Sequence, residues 1–452
     1  MNQDTIAAIA TAPGRGGIGI IRLSGPESER VLREVFRPAS AFPAASSWPS
    51  HRMIYGHLTN GDEILDEGMA VLMRAPRSYT REDVVEIQLH GSAFLLEEAL
   101  ELCLKKGARL AGPGEFTRMA FLNGRIDLSQ AEAVMSLIQT ETDRQRRAAL
   151  RQREGGASAF VRDLSSRLNR LQAGIAACID YPEEASEEEG AAGLRPEIEA
   201  LIRDLESAVD ERGSRLLYDG LRVTLFGRPN GGKSSLLNRL TGEDRAIVTD
   251  IPGTTRDVIR GEMTLDGIRI HLEDTAGLRE SDDLVERLGV DRSEKAIREA
   301  DLRLLVLDAS APPSEEDLRL AARLSGEDAV VLSKRDLPPR LRPEDLRRRM
   351  TGSPEILTAS VLEPNGLADL KAFLARKAKA ETGLAVTLPR HLDAIRRARG
   401  HLRDALRTLE TGPLDLCSVD LQSAQEALCE ITGERAGEKL LDEVFSAFCV
   451  GK

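Results

Sequence analysis

Apolar positions change rhythm along the chain. In residues 1 to about 120, β-branched runs such as Ile18–Ile21 and Val84–Leu89 alternate with Gly- and Pro-bearing turns, while Leu95–Lys105 has helical spacing. That mixture predicts an α+β domain over 1–120. From 121 to 216 the period lengthens to about 3.6: Leu128–Ile138 carries apolar residues at 128, 131, 134, 135, 137 and 138, and Leu164–Ile179 and Ile198–Val209 repeat the pattern. Asp180–Gly190 is acidic and reads as a solvated loop. Over 217–379 the compact runs Leu221–Phe226, Ile268–Glu273, Leu302–Leu307, Ala329–Leu332 and Ile356–Thr358 are spaced by helix-length segments, the βα alternation of a parallel sheet covered by helices. Residues 380–452 are helical again, with Leu392, Ile395, Leu402, Leu406 and Leu409 as core candidates. Two helical stretches flanking an α/β block predict a discontinuous helical domain with an α/β domain inserted in it.

Composition narrows the class. The 452 residues carry 62 Lys plus Arg against 74 Asp plus Glu, a net charge of −12, with 41% hydrophobic and 30% charged residues. Such a chain can bury a core, and no apolar run reaches the roughly 20 residues of a spanning helix. Its start lacks a signal-peptide pattern, and five cysteines with no CxxC pair indicate neither a disulfide framework nor a zinc ribbon. A soluble, cytoplasmic protein is expected. The acidic balance argues against indiscriminate coating of nucleic acid, and 3% aromatics against a base-stacking platform; a local basic face could still hold a structured RNA.

Candidate chemistry begins after Leu221–Phe226. Gly227-Arg-Pro-Asn-Gly-Gly-Lys-Ser234 fits GxxxxGK[ST] between that strand and a helix expected over Ser235–Leu240. Glycines let backbone N–H groups curl around phosphate oxygens, and the helix N-terminus adds donors and dipole. Asn230, Gly231, Gly232, Lys233, Ser234 and Ser235 are therefore candidate nucleotide contacts, with Lys233 on the β- and γ-phosphates and the Ser234 hydroxyl on Mg²⁺. The polar loop Thr249, Asp250, Ile251, Pro252, Gly253, Thr254 and Thr255 follows; a threonine there can complete the Mg²⁺ shell once a γ-phosphate is present. Asp274, Thr275, Ala276 and Gly277 close the next strand, Asp274 placed behind the magnesium and the Gly277 N–H toward the γ-phosphate.

Base-reading elements come next. Ser333, Lys334, Arg335 and Asp336 stand where a guanine-specific NTPase carries Asn-Lys-x-Asp. A carboxylate at Asp336 can accept from guanine N1–H and the N2 amino group, which adenine cannot supply. Lys334 would cover the base, and Thr358, Ala359 and Ser360 lie where a backbone N–H can meet the guanine carbonyl. Serine at 333 removes the amide that normally links this loop to the phosphate loop, so weak nucleotide affinity is expected. At Leu278 no glutamine is available to orient the attacking water.

These residues resemble the tRNA-modification GTPase family MnmE, also called TrmE, along nearly the whole chain. The resemblance is carried by DTIAAIATAPGRGGIGIIRLSG, PGEFTRMAFLNGRIDLSQAEA, GRPNGGKSSLLN, IVTDIPGTTRD, DTAGLRESDDLVERLG and the terminal FCVGK. It implies an N-terminal folate-binding and dimerisation domain over 1–120, a helical domain from 121–216 and 380–452, and an inserted Ras-like P-loop G domain over 217–379. It further implies a homodimer that works with an MnmG (GidA)-type flavoprotein, carrying FAD and using NADH, as a heterotetramer. Together they would place an aminomethyl or carboxymethylaminomethyl group on C5 of the wobble uridine of certain tRNAs, with a tetrahydrofolate derivative (5-formyl or methylene form) as one-carbon donor.

The resemblance also implies how Leu278 is compensated. K⁺ would stand in for an arginine finger, held by Asn230, Thr249, Ile251 and Thr254, with Thr255 joining Ser234 on Mg²⁺. Glu286 matches the family's catalytic glutamate; read alone it is a solvated carboxylate. Arg22, Glu86, Arg125 and the terminal Lys452 fall on folate-contacting positions, Arg125 where lysine is common. Cys449 is matched to the modification chemistry, with a tail anchor as its bland alternative. The arginines of 144–153, 396–407 and 347–349 are solvated faces by default and tRNA or flavoprotein contacts otherwise. Two other readings stand beside the enzyme, a GTP-dependent ribosome-assembly switch and a nucleotide-holding scaffold.

Overall fold

The computed structural model describes residues 4–40, 48–180, 187–243, 261–274, 297–348, 350, 353–379 and 386–452. The chain forms two compact units: Met1–Gln139, Ala149–Glu206 and Asp393–Lys452 in one, Thr140–Ala148 and Ser207–Leu392 in the other. The stretch expected to be helical over 121–216 is thus divided, with 140–148 and 207–216 clustering in the second unit.

The first unit opens with a seven-stranded sheet of β1 (Ile6–Ile9), β2 (Gly16–Ser24), β3 (Phe36–Pro38), β4 (Ile54–Asn60), β5 (Glu63–Met73), β6 (Val84–Gly91) and β7 (Arg109–Leu110). Their order is β3-β4-β5-β6-β2-β1-β7, antiparallel except where β1 meets β7. Alternation along β2 and β6 sorts the faces. Ile21, Leu23, Val85 and Ile87 join the core that also takes Val31 and Leu32 of helix Ser28–Val35 and Leu96, Ala99 and Leu102 of helix Ala93–Lys105. Arg22 and Glu86, directly opposite each other, are thereby put on the other face.

The helical part begins at Leu128, where Asp127 and Gln130 form a reciprocal capping box. Helix Gly156–Asp180 buries Val161, Leu164, Leu168, Leu171 and Ile175 at spacings of three and four, and packs along helix Leu414–Thr432. The expected acidic loop is shorter than 180–190, because a helix, Glu187–Ser207, starts at Glu187. Gly433, at φ +84°, ends helix Leu414–Thr432 in the left-handed conformation, where a Cβ would meet Leu128 at 2.8 Å. Leu441 and Phe445 of helix Glu438–Ser446, with Phe448, then pack on Leu128 and Phe121. The tail runs on to the sheet: Val450 bridges Pro113, and Gly451 sits at φ +93°, where a Cβ would lie 2.4 Å from the Ile9 carbonyl oxygen.

The second unit is built on β8 (Leu221–Phe226), β9 (Gly261–Leu265), β10 (Ile268–Asp274), β11 (Leu302–Asp308), β12 (Ala329–Ser333) and β13 (Glu355–Thr358). The order β13-β12-β11-β8-β10-β9 is parallel apart from the edge hairpin β9–β10. This is the Ras-like doubly wound arrangement, both faces of its sheet buried. Residues 140–148 belong with it because Gln145 Nε2 donates to Leu217 O (2.9 Å), Glu141 pairs with Arg269, and Arg144 lies over the β9–β10 turn at Gly267. The carboxyl ends of β8, β10, β11, β12 and β13 gather at one edge, where open α/β sheets bind ligands.

Candidate functional site

Backbone geometry shapes the loop after β8. Gly227 (φ +134°) passes so close to β11 that a Cβ would lie 2.5 Å from Val306 O, and Gly232 is at φ +94°. Asn230 takes the left-handed region at φ +63°, which Asn tolerates better than most residues. Lys233, 3% exposed, donates from Nζ to the carbonyls of Gly227 (2.9 Å) and Arg228 (2.7 Å), so the loop curls around the ammonium. Ser234 Oγ donates to Asp274 Oδ2 at 2.6 Å, bringing the first residues of the helix Lys233–Glu243 onto the end of β10. Ser235 is exposed on the same turn.

The residues expected to read the base sit at the ends of β12 and β13. Ser360 Oγ donates to Asp336 Oδ1 (2.6 Å), orienting a solvent-exposed carboxylate. Lys334, at φ +58°, reaches Asp308 Oδ2 (2.6 Å) at the end of β11. Burial pushes the Asp308 carboxyl up, but Lys334 and the Ser310 hydroxyl and N–H outweigh it and hold it below its usual range. Asp308 was not singled out from the sequence, since an Asp closing a strand carries no motif.

Two expectations need correction here. Ser333 does link the loops: its buried Oγ lies 2.6 Å from Gly231 O and 3.0 Å from Leu307 O, and its one proton can go to either. The hydroxyl is short, but the strand end lies close enough to the phosphate loop for it to reach. The backbone donors at 358–360 are the second point. Ala359 N–H goes to Leu332 O (2.8 Å) and Ser360 N–H to Gly366 O (3.0 Å), so both are used within the fold. The next amide, Val361, makes no such bond among the described residues. The signal in the sequence was Gly366, whose backbone lies so close to Ser360 that a Cβ would be 2.1 Å from its carbonyl oxygen.

Thr249, Asp250, Ile251, Pro252, Gly253, Thr254, Thr255, Thr275, Ala276, Gly277, Leu278 and Glu286 lie outside the described residues. Among the described residues no group of three or more His, Cys, Asp or Glu could cage a metal ion. No described helix is long and apolar enough to cross a membrane.

In the first unit, Arg22 donates from Nε (2.9 Å) and Nη2 (2.8 Å) to Glu86 Oε1, and from Nη1 to Gly451 O (3.0 Å). The neighbours of Lys452 are thus brought beside two residues more than 360 positions away, and Cys449, exposed, receives the Gly114 N–H on its carbonyl (3.3 Å). Arg22 also lies 5.8 Å from the centre of the Phe116 ring. Arg125 stands apart from this cluster, over the Tyr79 ring at 4.9 Å. Of the arginine-rich helices, Arg146 and Arg147 pair with Asp143, Arg397 with Asp393 and Glu430, Arg403 with Glu206, and Arg407 with Asp404. Those guanidiniums are paired within the chain.

Residues 128–449 match the family model described as MnmE helical domain, and residues 5–125 the one described as GTP-binding protein TrmE N-terminus. The chain is 44% identical over 467 residues to the tRNA modification GTPase MnmE of Bacillus subtilis, covering 100% of both chains. It is 48% identical over 462 residues to that of Symbiobacterium thermophilum, again covering 100% of both. With that of Geobacillus kaustophilus it shares 44% identity over 460 residues, 99% of each chain.

Proposed function

From the premise that this chain belongs to the MnmE family of tRNA modification GTPases, we propose that its GTP hydrolysis is potassium-stimulated and drives wobble-uridine modification. The observation that carries the reading is the carboxyl edge of the second sheet. Ser360 orients the Asp336 carboxylate, which suits guanine, and the loop carbonyls hold the Lys233 ammonium, which suits phosphates, both at the carboxyl ends of strands of one sheet. Lys233 would turn from Gly227 and Arg228 toward the β- and γ-phosphates. Ser234 and Thr255 would hold Mg²⁺, with Asp274 behind Ser234, and the nucleotide and water would complete its shell.

Asn230 is exposed at the loop apex, and its carboxamide has no partner among the described residues, which suits a cation ligand. With Thr249, Ile251 and Thr254 it would hold K⁺, which when bound supplies positive charge between the phosphates. Glu286 would orient the attacking water in place of the absent glutamine. Arg22, Glu86, Arg125 and Lys452 of the domain over 1–120 would hold the tetrahydrofolate derivative: Glu86 accepts from the pterin N–H groups, and the cations meet its oxygens. Cys449 would face the same ligand. The working form would be a cytoplasmic homodimer joined by an MnmG-type flavoprotein carrying FAD and using NADH, with tRNA as substrate. Full-length similarity to MnmE relatives supports this over a ribosome-assembly switch.

The test is GTP turnover by the purified protein in KCl and NaCl at equal ionic strength. Strong potassium dependence is expected. Equal, slow turnover in both salts would remove the K⁺ site and leave Leu278 uncompensated.

A further inference from the structure

Between β5 and β6 the chain makes a turn, Arg74 to Asp83, that is pinned on several sides. Tyr79 OH and Thr117 Oγ1 are 2.9 Å apart, Asn123 Nδ2 donates to Thr80 O (2.7 Å), and Arg81 Nη1 donates to Asn123 O (3.0 Å). The pinned turn and Arg125 border an open surface hollow of about 550 Å³ lined by Met73, Arg77, Ser78, Tyr79, Arg81 and Arg125. That is the size of a small-molecule site rather than of a single bound ion.

Among the described residues no carboxylate is paired with the arginines of this hollow. Arg22, Arg30, Arg33, Arg74, Arg109 and Arg118 of the same domain each hold a carboxylate. Arg77, Arg81 and Arg125 converge without one among the described residues. The acids next in sequence are engaged elsewhere: Asp83 accepts from Ala75 N–H (2.9 Å) and pairs with Arg74, and Glu82 accepts from Ser24 Oγ (3.3 Å). Three forked cations beside an aromatic ring suit a ligand with several carboxylates.

The hollow also lies on the right side of the sheet. Met73 pairs with Val84 and Val71 with Glu86, so Met73 and Glu86 emerge on one face, two positions or about 7 Å apart along the strand. Phe116 under Arg22, followed by Thr117 against Tyr79, continues the path from the Arg22–Glu86 pair to the arginines. We propose that Arg77 and Arg81, with Arg125, form a subsite for the carboxylates of a γ-linked glutamyl chain, so that the protein prefers oligoglutamyl over monoglutamyl forms of its tetrahydrofolate ligand. This rests on the reading of Arg22 and Glu86 as the site of that ligand.

The experiment is calorimetric titration of the full-length protein with mono- and pentaglutamyl 5-formyltetrahydrofolate at low salt. Each exposed Arg–carboxylate pair contributes only a small factor, so the pentaglutamyl form should bind about tenfold tighter. In Arg77→Ala/Arg81→Ala the ratio should fall to within about twofold. Arg77→Gln alone, at a side chain with no partner to lose, should lower it partway. A monoglutamyl ligand that binds and depends on Glu86, with no tail-length preference, would overturn the subsite and leave the folate reading intact. So would a preference that survives both arginine variants, or one unchanged while tRNA binding weakens. Failure of both ligands to bind would overturn the folate reading itself, and the subsite with it.

Discussion

Replacing Ser333 by alanine removes one buried hydroxyl and tests whether the base-reading strand and the phosphate loop act as one body. Ser333 is 5% exposed, and its Oγ lies 2.6 Å from Gly231 O in the phosphate loop and 3.0 Å from Leu307 O. A hydrogen bond of this kind contributes about 1 kcal/mol net, and a carbonyl left without its donor costs somewhat more. If most of that loss falls on the loop's readiness for nucleotide, about 1 kcal/mol weakens GDP and GTP about fivefold. Titration with a fluorescent guanine nucleotide would read this, with a thermal melt to separate affinity from fold stability. Ser333→Asn provides a second arm. A carboxamide has two N–H donors for the Gly231 and Leu307 carbonyls that the one hydroxyl proton must share, so affinity should match or exceed that of the native chain. Nucleotide affinity in Ser333→Ala within twofold of native, with an unchanged melt, would refute the energetic link.

Further outcomes follow from the same geometry. Asp336→Asn replaces an acceptor of two N–H groups and should weaken GTP at least about tenfold while improving xanthosine triphosphate; competition between the two nucleotides reads it. Glu29 is pushed up by burial, but the Trp48 N–H, Arg33 and Arg74 outweigh that and hold it at about 2. Its contribution, about 2 kcal/mol after allowance for exposure, is therefore present above pH ~4.5 and lost as the pH falls toward 2. Glu29→Gln should lower the melting temperature at pH 6 and shrink the loss seen between pH 6 and pH 3.5. Thiol labelling should be ordered: exposed Cys449 should alkylate before Cys103 and Cys417, whose thiols burial pushes up to about 12 and about 11. Mass spectrometry of peptides after brief iodoacetamide treatment would show it, and early labelling of Cys103 would contradict the packing. Gly451→Ala puts a Cβ on the Ile9 carbonyl at a positive φ, and should cost about 1–3 kcal/mol and free the tail for limited proteolysis.

How much was legible varied with the kind of signal. The five apolar runs of the second unit fall within a residue of β8 and β10–β13. Strands β11 and β12 are buried on both faces and read as near-continuous apolar runs, while β10 shows itself by alternation, Ile268, Ile270 and Leu272 buried between half-buried polar residues. The edge strand β9 was missed: Gly261–Leu265 is half polar, with little of it buried. In the first sheet β2 and β6 showed themselves, but the β4–β5 hairpin did not. Its outer face mixes Tyr55, His57, Glu67 and Met69, which blurs the alternation. At the nucleotide edge, Lys233, Ser234, Asp274 and Asp336 were readable because phosphate and guanine chemistry demand those groups in that order. Asp308 was not, since an Asp closing a strand carries no motif and only its contact with Lys334 marks it. Arg22 and Glu86 became a pair only once strand register was known, and no periodicity could have joined them to Gly451.

The contact between Arg22 and Gly451 spans 429 positions, and it sets an order for how the protein is made. At about 5–20 residues per second, a ribosome releases the tail roughly 20 to 90 seconds after the strand that will receive it. Throughout that interval β1 and β2 lack the segment that closes over Ile9, while the second unit becomes complete once Leu392 is made, ahead of the final stretch of the chain. Nascent chains should therefore carry a finished nucleotide domain before the first domain has its last piece. Translation that stops a few codons short would leave the second unit whole and Ile9 without the Gly451 backbone against it.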